Sequence, residues 1–145
     1  MTERLKRIRE EIIGVVSILS SIYIVLSLAT YSEWDPSLFV FTTLPTRNYG
    51  GIVGSYVADL LVSAFGLIAY VLPVALFIFG LKRLLGKKGH WVTLLGTSLF
   101  ILSSSILAAL MAMTFRITLM NKPGGILGLM LSDVLLRLFA VHGAY

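Results

Sequence analysis

Three apolar runs dominate this sequence, and each is long enough to cross a lipid bilayer as a helix. They cover residues 12–31, 60–81 and 92–115 and contain almost no charged side chains. The hydrocarbon core of a bilayer is about 30 Å thick, which takes about 20 helical residues to cross. Hydrophobic residues make up 57% of the chain and charged residues 13%, unlike a soluble domain. The sequence therefore predicts an all-α membrane protein, with residues 1–145 forming one polytopic helical bundle.

Eight of the twelve Lys and Arg residues lie at two places beside these runs, and they predict the orientation of the chain. Cytoplasmic segments of membrane proteins are enriched in Lys and Arg. The connection formed by residues 32–49 has Arg47 as its one basic residue, so we expect it outside, with the amino terminus and the basic connection 82–91 in the cytoplasm. The net charge of +5 then sets topology, and we expect no direct nucleic-acid binding by this segment. The topology-setting residues are Arg4, Lys6, Arg7, Arg9, Lys82, Arg83, Lys87 and Lys88.

Aromatic side chains are dense in the connection 32–49 and at its end. Amphipathic rings favour the headgroup layer of a membrane, so this pattern predicts a loop that lies on the outer surface of the bilayer. The alternative is a small hydrophobic plug with no further role. The residues concerned are Trp34, Phe39, Phe41 and Tyr49.

One sixteen-residue pattern occurs twice. Residues 50–65 read "GGIVGSYVADLLVSAF" and residues 124–139 read "GGILGLMLSDVLLRLF", with seven identical positions. Both copies directly follow a connection that we expect outside. The duplication predicts two related helical hairpins.

Small residues four apart form a ridge along each copy. In lipid, such ridges allow helix backbones to approach closely, and van der Waals contact supplies the association energy. The alternative for the leading glycine pairs is that they end a loop and supply a positive φ. A kink is expected at Pro73 in the second run. The predicted helix-packing residues are Gly54, Ala58, Gly128, Ser132, Gly66 and Pro73.

An aspartate occupies the tenth position of both copies. Asp59 and Asp133 fall near the predicted ends of their spans, so we expect interfacial positions. Arg137 follows Asp133 by four residues, the favourable order for an ion pair on a helix, whereas Asp59 has Ser63 at that spacing. The alternative function is a small transporter or channel subunit with Asp59, Asp133 and Arg137 along a path. The spans contain almost no ionisable groups, unlike most transport pathways.

The second copy predicts a further span, because the first copy leads into one. Residues 124–145 are then an outer interfacial helix leading into a fourth span of which only the beginning is present, and the sequence is expected to be a fragment of a longer protein. The alternative is a natural short protein whose last helix lies on the outer surface.

Motifs for catalysis or nucleotide binding are absent from the sequence. It contains neither the phosphate-binding loop G-x-x-x-x-G-K-[ST] nor the motifs H-E-x-x-H and G-x-S-x-G. It has no cysteine, and His90 and His142 are isolated. We therefore expect no catalysis by this chain, no cofactor and no metal.

Several features in order resemble the amino-terminal four-span membrane domain of the FtsK/SpoIIIE DNA translocases. They are "RLKRIREE" before the first run, "LSLATYSEWDPS" at its end, "NYGGIVGSYVADLLVSAFGLIAYVLP" through the second, the basic connection, and "KPGGILG" before the last helix. The likeness covers essentially the whole chain. The family commonly has Ala where this chain has Ser55, a replacement of one small residue by another.

This resemblance implies a function that composition and spacing do not. It implies a membrane anchor and oligomerisation domain in the bacterial inner membrane at the division septum. The anchor would tether a cytoplasmic hexameric motor that pumps chromosomal DNA, and it would contact other cell-division proteins as well as lipid. In the family, a linker, an ATPase and a DNA-reading winged-helix domain follow downstream, and this sequence contains none of them.

Overall fold

The computed structural model describes residues 3–86, 91–115 and 124–139, and every regular element in these ranges is helical. The predicted all-α fold is confirmed. Two of the five α-helices are separated only by a short 3₁₀ segment, Gly66–Tyr70. The α-helices are α1 (Glu3–Ala29), α2 (Gly51–Phe65), α3 (Val71–Leu84), α4 (Trp91–Phe115) and α5 (Gly125–Phe139).

Within the described ranges, three helical stretches are long and apolar enough to cross a membrane: Glu3–Ala29, Gly51–Leu84 and Leu95–Met113. The second contains α2, the 3₁₀ segment and α3, and its 34 residues exceed the roughly 20 that a span needs. Helical structure begins at Gly51, earlier than the predicted span 60–81, because no proline interrupts the sequence between Gly51 and Phe65.

The kink was expected at Pro73. The interruption in this long stretch lies upstream of that residue, at Gly66–Tyr70. Gly66 has a φ of +61°, a conformation that glycine adopts without the steric cost of a Cβ. Pro73 is the third residue of α3, within the first turn, where backbone N–H groups have no partner inside the helix. Its missing N–H therefore breaks no helical hydrogen bond, and the break occurs at the glycine.

The chain divides into two compact units, Met1–Asp59 with Tyr70–Thr97, and Leu60–Ala69 with Ser98–Tyr145. In the first unit, α1 packs along α3. The contacts pair early residues of α1 with late residues of α3, for example Gly14 with Gly80, so the two helices are antiparallel. In the second unit, the buried residues of α4 and α5 are Ile101, Ser105, Ala109, Gly125, Gly128 and Ser132.

Small and polar residues form most of the packed face of α1, to which Leu28 adds a large apolar side chain. Its buried residues are Gly14, Ser17, Ser21, Ser27 and Leu28. Large side chains point outward instead, with Ile12 57% and Leu19 61% exposed. This arrangement suits a helix in lipid, where close backbone contact drives association and the exposed apolar side chains face acyl chains.

Candidate helix-packing and polar sites

Two glycines allow α1 and α3 to touch along their backbones. A Cβ added at Gly80 would lie 2.8 Å from the carbonyl oxygen of Gly14 and 3.0 Å from the Cβ of Ser17. A Cβ added at Gly14 would lie 2.9 Å from the side chain of Leu84. Since real Cβ atoms keep larger distances from backbone, any side chain at Gly80 must push the helices apart.

One hydrogen bond joins the same helices seven residues farther along α1. The Oγ of Ser21 donates to the carbonyl oxygen of Pro73 at 2.6 Å, and the bond is buried. Ser17 instead donates to Ile13 within its own helix, a common bond for helical serines. Pro73 accepts this bond through its backbone oxygen, and its ring is buried.

An ion pair joins α1 to the carboxyl end of α3. Arg83 donates to Glu10, and both side chains are largely covered. The guanidinium of Arg83 also lies over the ring of Phe79, 5.0 Å from its centroid. Glu10 precedes the apolar run, and the hydrogen bond from Arg83 holds its pKa below the ordinary value of 4.5. Arg83 therefore has a structural contact in addition to its predicted part in topology.

The other predicted topology residues within the described ranges lie on exposed surface at the same end of this unit. Arg4 and Lys82 are exposed, and the remaining three form ion pairs within α1. These pairs are Lys6 with Glu3, Arg7 with Glu11, and Arg9 with Glu10.

The connection between α1 and α2 is fastened by two buried polar side chains, Asp35 and Asn48. The carboxylate of Asp35, 4% exposed, accepts hydrogen bonds from the backbone N–H groups of Arg47, at 3.0 Å, and Asn48, at 2.9 Å. The side-chain amide of Asn48 donates to the carbonyl oxygen of Ser27 at 2.7 Å. These bonds close the connection and bind it to the end of α1.

The aromatic side chains of this connection point away from the fastened backbone. Trp34 is 75% exposed, Phe41 98% and Tyr49 82%, and Phe39 is also exposed. The plug alternative requires these rings to be packed inside, so it does not fit. The loop presents its rings outward, as a loop on a membrane surface would.

The two aspartates of the repeated pattern have different surroundings. Asp59 is 6% exposed, and the hydroxyl of Tyr31 donates to its Oδ1 at 3.1 Å. Asp133 is exposed and forms the expected ion pair with Arg137, with 2.9 Å between Oδ2 and Nε. The path proposed in the transporter alternative needs both carboxylates in one polar environment, and the described residues give them unlike ones.

The first copy of the pattern packs against α1. A Cβ added at Gly54 would lie 2.6 Å from the Oδ1 of Asn48 and 2.8 Å from the Oγ of Ser27. Gly51 has a φ of +66° and open space around it. The third glycine of the copy therefore serves close packing, whereas the second provides the backbone conformation that starts α2.

The second copy packs against α4 in the same manner. A Cβ added at Gly128 would lie 2.5 Å from the carbonyl oxygen of Ser105. Gly125 has a φ of +63°, and the Oγ of Ser105 donates to the carbonyl oxygen of Gly124. The second glycine has a positive φ and the third lies in a close contact in both copies, but Gly125 also lies against the backbone of Ala64, whereas Gly51 has open space. The relation between the two copies stays a prediction.

The remaining predicted packing residues, Ala58, Gly66 and Ser132, are all buried. Ala58 and Ser132 each have 0% exposure. Among the described residues no group of three or more acidic or His side chains could hold a metal. Some predictions lie outside the described residues, namely those on Lys87, Lys88, His90, His142 and the start of a fourth span within 140–145.

Sequence reasoning missed Gly14, Asp35 and Asn48 as packing or fastening residues. The dipeptide Asp35-Pro36 is typical of a turn or a helix start and does not reveal the partners of the carboxylate, and Gly14 lies near the start of the first apolar run. Gly14 and Gly80 both lie near the expected cytoplasmic ends of the first two predicted spans, which run in opposite directions. This shared position was the one feature of the sequence that could have predicted their contact.

Comparisons with known proteins agree on one family. The family model described as the 4TM region of DNA translocase FtsK/SpoIIIE matches residues 6–145. DNA translocase FtsK of Rickettsia prowazekii is 32% identical over 111 residues, covering 76% of this chain and 14% of the relative. DNA translocase FtsK of Vibrio vulnificus is 34% identical over 131 residues, covering 84% of this chain and 13% of the relative. No solved structure matches the chain significantly.

Proposed function

We propose that this chain, which belongs to the family of the 4TM region of DNA translocase FtsK/SpoIIIE, is the membrane anchor and oligomerisation domain of a translocase at the division septum. The matched region is the transmembrane part of DNA translocases of this family. The match over residues 6–145 is the observation that carries the proposal. The three helices long and apolar enough to span a membrane agree with it.

Anchoring a motor requires a stable bundle rather than a catalytic site. The contacts of the described residues are of that kind, since the backbones of two glycines, the hydroxyl of Ser21 and one ion pair join α1 to α3. The chain spans 14% of the length of its Rickettsia relative. We therefore assign DNA pumping to other parts of the full-length translocase, and membrane attachment to this segment.

Oligomerisation is proposed to use surfaces other than the glycines of the repeated pattern. Gly54 and Gly128 are already occupied by contacts inside the chain. The outward faces of the helices, rich in Leu, Ile and Val, remain for lipid and for neighbouring copies, a hexamer by resemblance. The fastened connection with its exposed rings is the proposed surface toward other cell-division proteins.

The proposed orientation has a direct test, because the chain contains no cysteine. Thr43→Cys places a thiol in the connection expected outside, and Leu85→Cys places one in the basic connection expected in the cytoplasm. Both positions are exposed. In spheroplasts, a membrane-impermeant maleimide should label the first variant before lysis and the second only after it. The cysteine-free parent is the control, and the reverse labelling pattern would disprove a cytoplasmic amino terminus.

The septal role is tested in the full-length translocase by exchanging residues 1–145 for an unrelated membrane anchor with the same number of spans. A fluorescent fusion of the parent should concentrate at the division site, and the exchanged protein should spread around the membrane. If the exchanged protein still concentrates at the septum, another part of the translocase directs it there and the proposed role of this segment is wrong.

A further inference from the structure

The charged end of the first unit contains a cavity of about 800 Å³ between the start of α1 and the end of α3. Both helices leave their apolar stretches here: α1 becomes apolar from Ile12 onward, and α3 ends its apolar stretch at Leu81. The cavity therefore lies where two membrane helices emerge, at the depth of lipid headgroups. Leu84 and Leu85 provide an apolar wall.

Charged side chains from both helices line the rest of the cavity. The acidic residues are Glu3, Glu10 and Glu11, and the basic residues are Lys6, Arg7, Arg9 and Arg83. The ion pairs within α1 are exposed, with the side chain of Arg7 83% and that of Lys6 54% exposed. Exposed pairs contribute only about 0 to 1 kcal/mol, so an incoming anion can readily replace the glutamates as partners of these basic side chains.

Arg83 differs from the other basic residues of the cavity because neighbouring side chains hold it in a fixed position. Its side chain is 24% exposed, and Phe79 beneath it and Glu10 beside it fix its position. Its Nε is buried and has no hydrogen-bond partner among the described residues. A guanidinium has five N–H donors, and the contact with Glu10 uses one of its terminal nitrogens.

We infer that this cavity binds the phosphate of an anionic phospholipid, with Arg83 as the fixed contact and the basic residues of α1 as the exposed ones. Basic pockets between membrane helices on the cytoplasmic side are suited to such headgroups. The leucine wall accepts the upper part of an acyl chain, which a free phosphate ion lacks. The inference goes beyond the proposed function and does not depend on septal location.

The test is native mass spectrometry of the purified full chain in detergent, with phosphatidylglycerol or phosphatidylcholine added in turn. The parent should retain phosphatidylglycerol in preference to phosphatidylcholine. Arg83→Gln and Arg7→Gln should each lower phosphatidylglycerol retention by about fivefold, the effect of one basic residue near the surface. Arg137→Gln is the matched control, since it removes an exposed ion-paired Arg elsewhere, and it should leave retention unchanged.

Glu10→Gln separates a binding role from a merely structural one. This substitution breaks the same ion pair as Arg83→Gln but removes the acid that competes with the phosphate, so retention of phosphatidylglycerol should rise. If Arg83 is only structural, both substitutions will lower stability alike and leave the ratio of the two lipids unchanged. Equal retention of both lipids by the parent also overturns the inference. Inorganic phosphate that displaces the lipid at equal concentration identifies a free-phosphate site and rejects the lipid.

Discussion

Ser21 donates a buried hydrogen bond of 2.6 Å to the backbone oxygen of Pro73, across 52 residues of sequence. This hydrogen bond connects two apolar helices, and it lies on the same face of α1 as the close contact of Gly14 with Gly80. Contacts at successive positions along α1 and α3 therefore hold the first unit together.

Removing this hydroxyl should weaken the helix pair modestly. Ser21→Ala should lower the free energy of unfolding by about 0.5 to 1.5 kcal/mol, since hydrogen bonds between membrane helices contribute about that much. Titration of the micellar protein with sodium dodecyl sulfate, followed by circular dichroism, measures the change. Ser103→Ala, at an exposed serine of α4, is the control and should have no effect. A loss as large in the control as in Ser21→Ala would contradict the assignment.

The glycine contact should tolerate no side chain. Gly80→Ala places a Cβ 2.8 Å from the backbone oxygen of Gly14, so we expect a loss of about 1 to 3 kcal/mol from overpacking in the same titration. Gly96→Ala is the matched control, because a Cβ there meets nothing within 4 Å and alanine favours helix. Stability equal to that of the parent in both variants would show that α1 and α3 are not in close contact.

The two copies of the repeated pattern should differ in their tolerance of alanine. At Gly128 the added Cβ meets the backbone of Ser105, so the helices must separate, whereas at Gly54 it meets side-chain atoms of Asn48 and Ser27, which can shift at the expense of their hydrogen bonds. Gly128→Ala should therefore cost more unfolding free energy than Gly54→Ala. Because both contacts are internal, neither variant should change the association state by analytical ultracentrifugation while it remains folded. A folded but dissociated variant would place the ridge between subunits instead.

The fastened connection should open when Asp35 loses its charge. Asp35→Asn replaces one of two acceptor oxygens with a donor that faces a backbone N–H, and hydrogen bonds to charged groups contribute about 1.5 to 3 kcal/mol. We expect faster proteolysis within residues 36–46 in reconstituted vesicles. Asp133→Asn makes the same charge change in an exposed helical pair and should leave the cleavage rate unchanged. A cleavage rate for Asp35→Asn equal to that of the parent would mean that other contacts hold the connection.

Hydropathy predicted the all-helical fold because a bilayer requires long uninterrupted apolar helices. The ion pair of Asp133 with Arg137 was predictable for a similar reason, since a spacing of four residues places both on one helix face. The partner of Ser21 was not, because a serine in an apolar run can bond to its own helix or to a neighbour. Likewise, the left-handed conformation of Gly66 moved the helix break away from Pro73, and composition does not reveal which of two breakers acts.

The separation of Ser21 from Pro73 along the chain also means that α1 is synthesised before the helix that it packs against. A ribosome adding about 5 to 20 residues per second needs roughly 3 to 10 s to advance the 52 positions from Ser21 to Pro73. During that interval α1 resides at the insertion machinery or in lipid without its partner helix. We expect its serine hydroxyls then to donate to carbonyl oxygens of their own helix, as Ser17 does to Ile13, and Ser21 to exchange such a bond for the one to Pro73 once α3 is present. The face of α1 that packs against α3 is therefore also compatible with lipid before α3 is present, because its serine hydroxyls have acceptors within their own helix.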